Sequence, residues 1–356
     1  MSEFDFRSFS PFIEDSMITD INYNGHELWL DHLEKGRYSL EDFYMDEKLE
    51  QFCYRFANFA NLPFNATYPI LESENEDLRV SIIHDSVARS GHSISIRKTP
   101  TVVRLTRERM LEQKYATATL LDFLERVVRA RCNILVCGLP GAGKTELVKY
   151  MTSFIPSHER VITIEDTLEL HYSKVHPYKD CVELKVNSGF DYVDAIKACL
   201  RQRPDWLLVS EVRSHEVQQM LEAISTGAKA MSTLHCDDAS AIPMRLLHMF
   251  PGMELSNERI LDMIYENIDI GIHVASTITP NGIVRAIEKV VCYQIKEDKR
   301  ECIVLYENGK MSKEMPNKLV DKFKRFELKE KKIEVKRKEE KKLEPKRRLK
   351  KISDKD

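Results

Sequence analysis

The octapeptide GLPGAGKT, formed by Gly138, Leu139, Pro140, Gly141, Ala142, Gly143, Lys144 and Thr145, limits what this chain can fold into more than any other stretch. It fits the spacing G-x-x-x-x-G-K-[ST] and directly follows the apolar run NILVC. It opens TELVKYMTSFI, whose Leu147, Val148, Met151, Phe154 and Ile155 recur at helical spacing before Pro156. Strand, glycine-rich loop and helix in that order make a phosphate cradle. Gly141 and Gly143 let backbone N–H groups turn inward around phosphate oxygens, and the helix N-terminus adds roughly half a positive charge at the same place. Lys144 is expected to reach the β- and γ-phosphates of a nucleotide, and Thr145 to ligate magnesium.

The pattern repeats downstream. VITIE reads as a strand, and Tyr192 to Leu200 as a helix with Ala195, Ile196 and Cys199 on one face. WLLVSE is a strand, the next helix places Val217, Met220, Leu221 and Ile224 together, and AMSTLH is a further strand. Strands alternating with amphipathic helices predict an α/β fold with a parallel, doubly wound sheet. Upstream, Asn24-Gly25 lies between Ile21/Tyr23 and Leu28/Leu30, the signal of a tight hairpin. With LRVSIIH and HSISIRK it predicts a smaller α+β domain. The expected organisation is an α+β domain over 1–98, a hinge or linker over 99–109, the α/β domain over 110–315 and a charged, flexible tail over 316–356. Within that tail Leu319, Phe323 and Phe326 fall on one helical face before the pattern fades.

Charge is divided unevenly. Residues 318–356 hold 18 Lys and Arg against 9 Asp and Glu, which leaves 36 against 48 for the rest of the chain. The basic tail suits an anionic lipid surface or another acidic surface. An acidic body without a basic groove interleaved with aromatics makes nucleic acid an unlikely partner class. Eight cysteines without any C-x-x-C pair predict reduced thiols and no zinc site. No apolar run approaches the roughly 18 residues of a membrane helix and the N-terminus lacks signal-peptide character, so a cytoplasmic chain is expected.

The stretch LRQRPDWLLVSEVR, Leu200 to Arg213, carries an acid in an unusual place. Trp206 to Val209 form a buried strand that would usually run into a magnesium-organising aspartate, but Ser210 and then Glu211 follow. Ligands of a parallel sheet sit at the carboxyl ends of its strands, so Asp205 is at the wrong end and Glu211 at the right one. Glu211 is suited to hold a magnesium-bound water or to polarise the attacking one; the alternative is a surface glutamate paired with Arg213. Glu165 and Asp166 end VITIE on the same edge, although an acid there also serves as a helix cap or loop residue. His235 ends MSTLH and is a candidate donor to a γ-phosphate, or a satisfied core histidine.

Taken in order, GLPGAGKT, VITIEDTLEL, LRQRPDWLLVSEVR and STGAKAMSTLH resemble the Walker A, Asp box, atypical Walker B and His box of the type II/type IV secretion ATPases. The resemblance runs from about Met17 to about Tyr293. It is nearest to the branch with the VirB-type conjugation ATPases and CpaF, the ATPase of Tad (Flp) pilus assembly. The resemblance implies a RecA-like domain and an N-terminal domain that clamp ATP and magnesium (Mg) between them in a hexameric ring of identical chains, peripheral to the cytoplasmic face of the membrane and docked on an inner-membrane secretion or pilus platform. It makes Glu211 the Walker B glutamate, Glu165 and Asp166 the Asp-box acids and His235 the γ-phosphate sensor. Arg79 and Arg97 match the arginines of the N-terminal domain that reach the phosphates. Arg201, Arg203 and Arg213 are further candidates for the phosphates or for a subunit interface, since an arginine supplied to a phosphoryl group raises turnover roughly 10³- to 10⁵-fold in other NTPases. Three positions depart from the family pattern. Ser210 replaces a glycine, Glu146 replaces a hydroxyl residue beside the nucleotide and adds a negative charge, and EDL replaces a D-G turn before Arg79.

Two rival functions share the core motifs. One is a nucleic-acid motor, such as a helicase or conjugative DNA pump; the other is a ring-forming scaffold that binds ATP with little turnover.

Overall fold

A computed structural model of the chain describes residues 4–40, 42–45, 47–250, 255–279 and 282–326. Strand burial alternates in the first third of the sequence and is continuous in the second, and this difference divides the molecule into two sheets.

The first sheet has six antiparallel strands in the order β3-β2-β1-β6-β5-β4. They are β1 (Ile18–Tyr23), β2 (Leu28–His32), β3 (Gly36–Leu40), β4 (Ile70–Glu74), β5 (Leu78–Ile83) and β6 (Ser93–Lys98). Ile21, Ile96 and Val80 lie side by side in register and are fully buried. Helix Leu49–Ala60 contributes Phe52, Cys53 and Phe56 to the same core, and Phe4, Phe6 and Phe9 join it. Side chains alternate across a strand, so one residue along the register Asp20, Arg97 and Arg79 form a charged row on the opposite face. The first hairpin closes through four residues rather than a two-residue Asn-Gly turn. Asn24 Oδ1 accepts the amides of both His26 and Glu27, at 3.0 and 2.9 Å, and so draws them into the turn.

The second sheet has nine strands in the order β15-β14-β13-β12-β7-β11-β10-β8-β9. They are β7 (Ile134–Cys137), β8 (Val161–Glu165), β9 (Cys181–Lys185), β10 (Trp206–Val209), β11 (Lys229–Leu234), β12 (Ile270–Thr279), β13 (Gly282–Lys296), β14 (Lys299–Glu307) and β15 (Lys310–Met311). From β12 to β9 all pairs are parallel, while β13 to β15 extend the sheet antiparallel. Every residue of β7, β8 and β10 is buried, as expected for strands covered on both faces. Helices Tyr192–Leu200 and Glu216–Ser225 bury the apolar faces that their spacing predicts.

Residues 99–106 connect the sheets and are tied to the second one. Thr99 O accepts His171 Nε2 at 2.8 Å, Pro100 O accepts Lys149 Nζ at 3.1 Å, and the Arg104 amide donates to Glu146 Oε2 at 3.2 Å. Helix Arg107–Glu112 follows, capped by Thr106.

The boundary expected at residue 315 falls too early. Residues 317–326 are helical, and Leu319 and Phe323 are buried in the core of the second sheet. Phe323 meets the Phe123 ring edge-on at 6.2 Å, with the Arg126 guanidinium 4.2 Å from its own ring centre. Lys318 Nζ donates to the carbonyls of Tyr265, Ile268 and Tyr293, and with Lys322 pairs to buried Asp269. The helical face of Leu319, Phe323 and Phe326 is legible in the sequence, but the composition conceals that it is packed, because lysine stems lie on apolar surface as readily as they stand in water. The remainder of the expected tail, 327–356, lies outside the described residues.

Candidate functional site

The site grows from two glycines. A Cβ on Gly138 would lie 2.3 Å from Val274 O, so the chain leaves β7 where only glycine fits. Gly143 holds φ +90°, a left-handed conformation that glycine adopts without strain, and helix Lys144–Thr152 starts there. The turn folds Lys144 back over the loop. Its Nζ donates to Gly138 O at 2.9 Å and Leu139 O at 3.3 Å, and lies 3.2 Å from His235 Nδ1. Burial pushes the Lys144 pKa down, and the Glu211 charge partly opposes the shift. Pro140, Gly141, Gly143, Lys144, Thr145 and Glu146 line a cleft of about 610 Å³ between the two sheets. Leu139 is exposed and Ala142 is packed in the core.

His235 and Glu211 stand beside Lys144 because β11 and β10 end next to one another. An ammonium only donates, so His235 Nδ1 is the acceptor. In the neutral ring the proton therefore sits on Nε2, 2.8 Å from Glu211 Oε1. That approach is not aligned as a hydrogen bond, and Glu211 Oε1 stays buried without a hydrogen-bond partner. The other carboxylate oxygen, Oε2, receives Arg213 Nε at 2.8 Å and Nη2 at 2.7 Å. Arg213 also donates to Asp166 Oδ2 at 2.7 Å. Burial works against its charge, but the hydrogen bonds it donates to Glu211 and Asp166, and the charges of those two carboxylates, raise its pKa overall. The pairing with Arg213 and the place in the cleft, offered by the sequence as alternatives, occur together.

Ser210 acquires a role as well. Its Oγ lies 2.9 Å from the Tyr192 hydroxyl, which in turn accepts the Asp166 amide at 3.1 Å. The hydroxyl that replaces glycine thus joins the end of β10 to the loop after β8. Glu146 points toward Lys149 (3.3 Å) and the Arg104 amide, so its charge is spent on a lysine and on the connecting segment.

Three sequence candidates end elsewhere. Glu165 does not line the cleft: it is wholly buried, and its Oε2 accepts the amides of Glu169 and Leu170, both at 2.9 Å. Burial pushes its pKa up to about 7 against those two hydrogen bonds. It braces the loop that presents Asp166, Thr167 and Glu169. Arg201 and Arg203 are exposed ahead of β10, at the amino end of the strand, where neither reaches the cleft. Strand polarity, which removed Asp205 from the site, removes them for the same reason. Asp205 receives Arg131 Nη2 at 2.8 Å and the Arg160 amide at 2.9 Å.

Arg79 and Arg97 do face the cleft. Arg79 Nη1 donates to Thr167 Oγ1 at 2.9 Å across the two sheets, and Arg97 Nε to Asp20 at 2.7 Å. The sequence reading missed Glu169, which accepts the Thr145 hydroxyl at 3.0 Å, although the acid sits in the quoted VITIEDTLEL. It also missed Arg104, Arg109 and Arg285. Arg285 donates from Nε to Gly141 O at 3.1 Å and from Nη1 to Leu33 O at 3.1 Å, reaching over the loop to the first sheet. No local motif marks an arginine near the start of β13. Altogether the lining holds nine Lys and Arg against six Asp and Glu, a positive cleft in an acidic body.

The residues fit a magnesium-bound nucleoside triphosphate. The loop amides and Lys144 suit phosphate oxygens, and Thr145 with Glu169 and Glu211 supply the hard oxygen donors that magnesium takes directly or through water. Away from the cleft, His84, Asp85 and His92 converge in a second group. Both imidazole Nδ1 atoms there accept backbone amides of Ser86 and Asp85, and so hold the loop before β6.

Comparison with known proteins agrees with this geometry. Residues 64–341 match the family model described as type II/IV secretion system protein. An uncharacterised protein of Bacillus anthracis is 28% identical over 307 residues, which span 83% of this chain and 69% of the relative. VirB11 of Rhizobium radiobacter is 34% identical over 169 residues, 44% of this chain and 48% of VirB11, so the likeness takes in about half of that protein. Among solved structures, the ATPase DotB of Legionella pneumophila has a TM-score of 0.61 at 18% identity, over 82% of this chain and 83% of its own, a likeness of fold.

Proposed function

Since the chain belongs to the type II/IV secretion system protein family, we propose that it is a magnesium-dependent ATPase, the motor of a membrane-bound secretion or pilus-assembly machine of the CpaF kind. The observation that carries this reading is convergence. Lys144, Thr145, Glu211 and His235 of one sheet and Arg79 and Arg97 of the other face a single cleft.

Each residue then has a task. The amides of Gly141 to Thr145 and the Lys144 ammonium bind the β- and γ-phosphates. Bound magnesium would neutralise phosphate charge and orient the triphosphate; Thr145, Glu169 and Glu211 are the residues that would hold it. Glu211 Oε1, which has no hydrogen-bond partner, accepts a proton from the attacking water. With nucleotide bound, the His235 Nε2–H turns from Glu211 Oε1 to donate to a γ-phosphate oxygen, and Arg213 holds Glu211 and Asp166 beside it. Arg79 and Arg97 bring the first sheet down on the phosphates, so that binding and release of product move the two sheets about the connecting segment 99–109.

The wider assembly belongs to the same proposal. Identical chains form a ring, hexameric in this family reading, on the cytoplasmic face of the membrane. The ring engages an inner-membrane platform protein, and the basic tail lies against anionic lipid. The test is ATP turnover by the purified chain. Wild type should hydrolyse ATP with magnesium, and Lys144→Ala should lower turnover by at least about 100-fold. Equal turnover in the two would remove the cleft from the chemistry.

A further inference from the structure

Two thiols meet at the root of the phosphate loop. Cys137 ends β7 immediately before Gly138, and Cys236 follows His235 just beyond β11. These strands are parallel neighbours with Cys137 opposite Leu234. Cys236 lies two residues further on and therefore returns to the same face of the sheet, where both cysteines pack in the Leu234 cluster. The two thiols are within hydrogen-bonding reach of one another. Cys137 is fully buried, while Cys236 is half-buried with Sγ 3.3 Å from Asp238 O.

Their surroundings make the pair unequal. Contact with Cys137 lowers the Cys236 pKa against the cost of burial, and the same contact together with burial raises that of Cys137. The other six cysteines are all shifted upward, chiefly by burial. Reactivity follows thiolate character and access; Cys236 shares partial exposure with Cys181 and Cys302, and of these three it alone is shifted toward the thiolate.

We propose that Cys236 and Cys137 form a peroxide-sensitive dithiol that turns the adjoining nucleotide cleft off. The Cys236 thiolate attacks one peroxide oxygen, the O–O bond breaks, and the other oxygen leaves as hydroxide and is protonated to water. Cys236 is then a sulfenic acid. The Cys137 sulfur attacks its sulfur, the S–O bond breaks, and the departing hydroxide takes the Cys137 proton as a second water. Two electrons have passed from the dithiol to the peroxide, and an external dithiol reverses the change.

A disulfide draws its sulfurs to about 2.05 Å, well inside thiol–thiol contact. Closing it pulls Gly138 toward His235. The Gly138 carbonyl holds Lys144, and Val274 O stands against its back, so the displacement falls on Lys144 and on the imidazole between it and Glu211. A displacement of about 1 Å at reacting groups costs up to roughly 100-fold in rate. The loss of turnover rests on the ATPase reading; the bond itself does not.

The experiment treats the full-length chain with hydrogen peroxide and maps peptides by mass spectrometry without reduction, while following ATP turnover. A peptide joining Cys137 to Cys236 should form, and turnover should fall roughly 10- to 100-fold and return with dithiothreitol. Cys236→Ser should keep its own untreated turnover under peroxide. Cys137→Ser should stop at a Cys236 sulfenic acid that dimedone traps. Absence of the joined peptide, or an equal loss in Cys236→Ser, overturns the proposal. If the untreated chain hydrolyses no ATP, the ATPase reading fails, and the joined peptide alone decides whether the dithiol exists.

Discussion

β10 has an acid near each end, and the two are held in opposite states. At the amino end Asp205 has both oxygens engaged, one by Arg131 and one by the Arg160 amide. Asp269, at the same end of the sheet, accepts the Asn133 amide at Oδ2 and pairs with Lys318 and Lys322, although its Oδ1 has no hydrogen bond. At the carboxyl end Glu211 has one oxygen fixed by Arg213 and leaves Oε1 buried without a hydrogen bond. A buried acceptor without a hydrogen bond is costly. The amino end offsets that cost with a lysine charge beside each Asp269 oxygen, whereas the carboxyl end leaves Glu211 Oε1 in the wall of a cleft, where a ligand and water would supply the missing bond.

Breaking the two ends should therefore do different kinds of damage. Glu211→Gln removes the proposed base and keeps the shape, so ATP turnover should fall about 10²- to 10⁴-fold with nucleotide binding and melting temperature little changed. Wild-type turnover in this variant would move the base elsewhere. Asp269→Ala strands two lysines and an amide, and should lower stability to urea by about 3–5 kcal/mol while turnover per folded molecule is kept. A catalytic defect without lost stability would mean that the amino end of the sheet takes part in the chemistry.

This division explains what was legible in the sequence. The parallel sheet and the phosphate loop could be read because strand, glycine and helix signals are local. Glu211 could be read because strand polarity is a rule of the whole fold. Arg285 could not, because its place above Gly141 depends on how β13 crosses toward the first sheet. The packing of the helix at 317–326 was hidden for the converse reason: a lysine-rich composition describes solvated chain, and only Asp269 and three backbone carbonyls, more than 20 residues away in sequence, make it a packed one. Glu165 was misplaced for want of its loop, since nothing local states that the amides of Glu169 and Leu170 turn back to it.

Glu165 sharpens the comparison, being an acid at the carboxyl end that behaves as a brace. Its pKa rises from the ordinary 4.5 to about 7 in the folded chain, with burial the chief cause. A raised folded value favours the neutral form, so its stabilising contribution is complete below about pH 4.5 and is lost as pH climbs through 7. Glutamine never ionises and keeps both amide contacts. The stability of Glu165→Gln relative to wild type should therefore improve by roughly 3 kcal/mol between pH 4 and pH 8, measured by urea unfolding. Parallel pH profiles would show that the carboxyl is already satisfied as an anion.

Ser210→Gly makes the smallest change and separates bracing from chemistry within a single residue. The substitution restores the glycine of the family pattern and removes the hydroxyl that meets Tyr192, while Ser210 O keeps its bond from Thr233 Oγ1 through the backbone. One partly buried hydrogen bond is worth about 1 kcal/mol, which lowers the melting temperature by roughly 2–4 °C in a domain of this size. Tyr192 still accepts the Asp166 amide, so Asp166 and with it Arg213 keep their places, and turnover should stay within about fivefold of wild type, the reach of 1 kcal/mol. A tenfold loss at unchanged stability would make the Ser210 hydroxyl part of the positioning of Glu211, and would move the line between the two kinds of residue from Glu211 one position back along β10.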